Sequence, residues 1–194
     1  MVGTMNKLTC IFLWILLSLC MSACGPAKVY DGDSMVNYPD VAMIFNDNLA
    51  PYQKAPYTFK LMTIEHGRKD SSFLKAKDVD WDALKAPFLK ANLYQKKLDK
   101  HYDINVFTDT IYNKLTLLLT AIDPNEITSK MSITAKKPEN KIMTLYAETR
   151  DAGFFTTTEY KLLFVNKRTL QVQETKKYPF MKARTKVQTL TFLN

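Results

Sequence analysis

Cysteine is scarce in this 194-residue chain. Cys10 and Cys20 lie inside a leading apolar stretch, and Cys24 is the only one after it. No disulfide can form within residues 24–194, so the fold has to rest on an ordinary hydrophobic core. That length is enough for one domain that buries about two thirds of its chain surface. Five glycines leave little material for phosphate-cradling loops, and no P-loop, dinucleotide fingerprint or G-x-S-x-G elbow is present. The two histidines, His66 and His101, are far apart, and neither HExxH nor CxxC occurs, so no zinc pattern is legible. A membrane-spanning helix needs roughly 17–25 apolar residues. The run from Leu8 to Ala23 is shorter and ends in Gly25-Pro26.

The chain does carry an ordered leader. Lys7 supplies a positive start, Leu8 to Leu19 an apolar middle, and Met21-Ser22-Ala23-Cys24 a close of mostly small residues. This resembles the lipobox of bacterial lipoproteins, with Met21 in place of the usual leucine. The resemblance implies cleavage before Cys24, a thioether-linked diacylglyceryl group on its sulfur and an amide-linked acyl chain on its nitrogen. Residues 1–23 are then a lipoprotein signal peptide, 24–39 a tether containing Gly25, Pro26, Gly32 and Pro39, and 40–194 one domain. An ordinary secretory signal fits less well, because Met21 is a poor third residue before a cut. Cys20 follows bulky Leu19 and is the weaker lipidation site. Gly25 lacks the acidic character that retains such proteins in an inner membrane, so a lipid anchor in the outer membrane is the expectation.

Charge is uneven after the leader. Residues 24–194 hold 26 basic and 19 acidic side chains, and from Lys161 onward eight basic residues face Glu174 alone. Such a field attracts anionic head groups, acidic glycans or nucleic acid. Export removes nucleic acid from reach. The plainer alternative is a solvated sheet face whose lysines blunt exposed strand edges.

Periodicity divides the domain. Asp40 to Ala50 suits a short helix capped by Asn37 or Asp40, and Tyr57 to Glu65 has the β-branched and aromatic content of a strand before a turn at His66–Asp70. Asp80 to His101 places Trp81, Leu84, Phe88, Ala91 and Leu98 at helical spacing, with Asp80 at the N-cap. Pro87 is expected to kink or divide that helix, and Asn92 with Gln95 to restart it. From Asp103 the period becomes two, as where Ile127, Met131, Ile133 and Ala135 alternate with polar neighbours. The expected fold is α+β, with N-terminal helices packed on an antiparallel sheet of about six strands.

Few constellations point to chemistry. Asp78, Asp80 and Asp82 alternate as in a calcium loop, but Ala83 and Leu89 stand where the turn glycine and bidentate Glu belong, and helix capping explains the acids. Phe154-Phe155 and Tyr178-Pro179-Phe180-Met181 put large apolar groups where turns are expected, either as partner anchors or as lids folded onto the core. The candidate contact surface combines Phe155, Lys176, Lys177, Phe180 and Lys182. No catalytic residue, metal or cofactor is implied.

Asp78-Val79-Asp80-Trp81, then Phe88, Leu98, Tyr102 and a late strand containing Tyr160, resemble small lipoproteins of the Bacteroidota over roughly residues 57–194. The resemblance implies class and location and lends no catalytic residue. The leading expectation is a membrane-anchored binding or accessory module of the cell envelope. Its partners would be the bilayer through acylated Cys24 and an anionic envelope component or envelope protein. A carrier of an apolar ligand between helix and sheet is the alternative, and an envelope hydrolase the third.

Overall fold

The computed structural model describes residues 40–54, 56–93, 100–138 and 141–193. The leader, Cys24, the tether and the helical restart expected at Gln95 and Leu98 lie outside them. Two α-helices and nine strands make up the described chain: α1 (Val41–Lys54), β1 (Thr58–Glu65), β2 (Arg68–Lys75), α2 (Trp81–Lys90), β3 (Tyr102–Asp109), β4 (Lys114–Ala121), β5 (Thr128–Lys136), β6 (Lys141–Ala152), β7 (Thr157–Val165), β8 (Thr169–Lys177) and β9 (Arg184–Leu193). A 3-10 turn, Ala76–Asp78, precedes α2.

All nine strands form one antiparallel sheet in the order β2-β1-β9-β8-β7-β6-β5-β4-β3. The expectation of N-terminal helices packed on about six strands is therefore corrected. The molecule is mostly sheet, its helices are short, and the β1–β2 hairpin separates them. β2 was invisible because Arg68-Lys69-Asp70-Ser71-Ser72 has no apolar alternation. As an edge strand it is largely exposed, and its charges protect the open edge. β3 was hidden in part because the consecutive residues Val106 and Phe107, on opposite faces, are both exposed, so neither face stands out.

Alternation places one apolar set of the sheet against the helices. A cross-strand row runs Leu145, Phe164, Leu170, Leu190, Leu61 from β6 to β1. The helices close over it: Phe45 of α1 meets Phe88 of α2 edge-on at 4.9 Å and Phe164 at 5.4 Å between ring centroids. These rings are buried, and aromatic pairs in this geometry add to the area they remove from water. Trp81 packs its ring edge against Phe59 at 5.3 Å and donates its indole N–H to the Ala76 carbonyl at 2.9 Å.

Asp80 caps α2 by accepting from the Ala83 N–H at 3.0 Å, as its place before Trp81 predicts. Pro87 does not divide this helix, which is assigned without interruption from Trp81 to Lys90. Asn92 also meets a different helix: its side-chain oxygen accepts from the Val41 N–H at 3.2 Å, at the start of α1.

The hairpin turns fall at two ends of the sheet. The β3–β4 and β7–β8 turns lie at one end. The β1–β2, β4–β5, β6–β7 and β8–β9 turns lie at the other, called here the tip end. α2 runs over the sheet from the far end, where Trp81 meets Phe59 and Ala76, towards the tip end, where Lys90 reaches Asp151.

Candidate functional site

Exposed large apolar side chains occur at both ends of the sheet, and six of them lie on turns at the tip end. Phe154 and Phe155, on the β6–β7 turn, are 93% and 71% exposed and pack edge-to-face on each other at 4.6 Å. Phe180 and Met181 occupy the β8–β9 turn, with Phe180 fully exposed. Ile122 and Ile127 flank the β4–β5 turn and are also exposed. Isolated exposed apolar residues are ordinary, but a row of them on successive hairpin turns is a surface feature. Phe155 and Phe180 therefore lie at one end of one sheet, on turns that flank the paired strands β7 and β8. Neither folds back as a lid.

Backbone geometry sets Phe180 apart. Its φ is +62°, in the left-handed region that a bulky side chain adopts at a cost of about 1–2 kcal/mol. The β1–β2 turn also uses this region, at His66 (φ 51°) and Gly67 (φ 76°), where the twist of a two-residue hairpin calls for it. Phe180 has no burial to offset its strain.

The lysines expected beside these rings are distributed differently from one another. Consecutive positions on β8 face opposite sides, so Lys176 projects on the helix side and Lys177 on the other. Lys176 pairs with Glu174 at 3.2 Å and Lys177 with Glu159 at 2.6 Å. Lys182 lies in the β8–β9 turn itself and, with Arg184, pairs with no acid among the described residues. The acids around the two aromatic turns are largely engaged: Asp151 with Lys90 at 3.8 Å, Glu174 and Glu159 with the lysines just named. Lys182 and Arg184 add unpaired positive charge at the β8–β9 turn, and Lys186 further along β9 also has no acid pair among the described residues. Arg184 was missed because nothing in sequence separates paired from unpaired cations.

Two shallow depressions lie beside α2 near the tip end, and Lys90 and Tyr160 line both. Each holds about 260 Å³. Tyr160 donates to Glu174 at 3.0 Å, and burial first, then this hydrogen bond, pushes its phenol up to about 12. Tyr146, on the opposite face, is likewise pushed up to about 12 by burial and by its bond to Glu148. Tyr102 is raised further, by burial and then by the Glu126 carboxylate, and donates to the Thr128 carbonyl at 2.9 Å. These phenols are held neutral, as groups that fasten the sheet.

The other sequence candidates have local roles. Asp80 caps α2, and Asp82 pairs with Lys85 at 3.3 Å. His101 contacts Glu126 at 2.8 Å, and His66 forms the β1–β2 turn. No helix among the described residues is long and apolar enough to cross a membrane. Cys24 lies outside the described residues. No family model matches the chain, and comparison with curated proteins finds no similar one.

Proposed function

We propose that this chain is a lipid-anchored binding module of the cell envelope, held through Cys24 and engaging an anionic partner with the tip end of its sheet. The observation that carries this reading is the adjacency of the Phe154-Phe155 and Phe180-Met181 turns, both exposed, with Lys182 and Arg184 beside them. Exposed charge draws an anionic partner in but contributes little contact energy once screened beyond about 8 Å at physiological salt. Exposed aromatic rings supply contacts that exclude water. The left-handed Phe180 supports the same reading, since strained and exposed residues cluster where a surface is used.

The carrier reading has less support. It requires an apolar cavity between helix and sheet, and Phe45, Phe88 and Phe164 fill that space where α1 and α2 cover it. The depressions that remain beside α2 have charged walls.

Two changes separate anchoring from contact. Cys24→Ala should release the chain from membranes. Phe155→Ala with Phe180→Ala should leave the lipidated chain on its membrane but reduce its capture of an immobilised, detergent-solubilised envelope fraction. Undiminished capture by the double variant would contradict the contact surface, and membrane retention of Cys24→Ala would contradict the anchor.

A further inference from the structure

We infer that the partner of the tip end is the head-group layer of an anionic bilayer, so that the module lies tip-down on the membrane with Phe154, Phe155, Phe180 and Met181 in the interface. This rests on the lipid-anchored reading above and specifies what its contact surface meets.

The shape of the surface is the first argument. The apolar groups project from separate hairpin turns, with Phe154 and Phe180 almost entirely exposed. A folded partner would need a matching pocket for each turn. A fluid interface accommodates projecting rings with no complementary shape, and aromatic side chains favour the head-group level.

Charge is the second argument. Lys182 and Arg184 carry no acid partner among the described residues, while Asp151, Glu159 and Glu174 are held by Lys90, Lys177 and Lys176. Basic residues beside aromatic anchors are the combination that anionic leaflets attract.

The path of the chain is the third. Asp40, where the described chain begins, accepts from the Asn92 side chain at 2.8 Å. The neighbouring Ala91 carbonyl accepts from the Thr128 hydroxyl at 3.2 Å, and Thr128 opens β5 at the tip end. Asp40, the described residue nearest in sequence to Cys24, therefore sits on the tip side of the domain.

The test uses the mature lipidated chain on phosphatidylglycerol vesicles that contain lipids brominated on their acyl chains. Phe180→Trp and Phe155→Trp place fluorescent reporters on the two turns. Ile111→Trp places one on the β3–β4 turn, at the far end and equally in water. The unsubstituted chain supplies the background of Trp81. Both tip reporters should lose most of their emission, while the Ile111→Trp reporter keeps its own. Swapping phosphatidylglycerol for phosphatidylcholine should weaken the loss. Unquenched tip reporters, or equal quenching at both ends, would overturn the inference. If the tips stay unquenched while the chain still captures envelope polymer through the same rings, the bilayer inference falls and the broader reading survives.

Discussion

Asp40 and Asn92, 52 positions apart, cap α1 together: Asp40 accepts from Asn92 at 2.8 Å and from the Ala42 N–H at 2.9 Å, and Asn92 accepts from the Val41 N–H. The first turn of α1 is thus satisfied partly from the loop after α2. Loss of a cap costs typically about 1 kcal/mol. Asn92→Ala should lower stability by about 1–2 kcal/mol in urea unfolding. Because the two side chains share one bond, Asn92→Ala combined with Asp40→Ala should cost less than the sum of the single changes. Strict additivity would show that they act separately.

Phe180 is expected to separate stability from binding. Asparagine tolerates the left-handed region better than phenylalanine, so Phe180→Asn should raise stability by about 1 kcal/mol. The same change should weaken attachment of the tip end, because the ring is gone. Paired urea and vesicle-binding measurements check this. A fall in stability would mean that the ring packs on the fold.

Alkaline pH should weaken the fold through its hydrogen-bonded phenols. Tyr160 and Tyr146 are raised from 10.0 to about 12, burial being the larger cause for each. A phenol raised in the folded state favours folding fully below pH 10, where both states hold the proton. Between pH 10 and about 12 the unfolded chain loses the proton first, so stability falls as pH rises. The urea midpoint should decline across that window, and Tyr160→Phe with Tyr146→Phe should flatten the decline.

Burial ranks two aromatic deletions on the helix side. Phe88 is fully buried against Phe45, so Phe88→Ala should cost about 3–5 kcal/mol. Trp81 is only partly buried although it packs on Phe59. Trp81→Ala should therefore cost about 3 kcal/mol, the lower end of the same range. A melting temperature unchanged by Trp81→Ala would contradict the packing described for α2.

Local signals in the sequence carried a good part of this structure. Asp80 before Trp81 marked the start of α2, and alternation marked β5, β7 and β8. Long-range pairing was not legible. β2 is a strand because it pairs with β1 across the His66-Gly67 turn, and its polar residues carry no alternation of their own. Asn92 reads as a restart of its own helix, and nothing local announces that it also meets Val41 and Asp40 from a distant segment. At the candidate surface the aromatic turns were visible as bulky residues among turn formers. The opposite facing of Lys176 and Lys177 follows only once β8 is known to continue through Lys177.

The proposed contact brings an anionic partner to the tip end through unpaired cations beside exposed rings. Lys182→Glu with Arg184→Glu reverses two cations at the β8–β9 turn that hold no acid among the described residues, so the Glu174 and Glu159 pairs stay intact. The decisive measurement is binding of the detergent-solubilised chain to an immobilised envelope fraction as salt rises, for the native and doubly reversed forms. Native binding should weaken steadily with salt, and the reversed form should not bind although its melting temperature is unchanged. Binding that survives both charge reversal and high salt would rule out an electrostatic contact at the tip end.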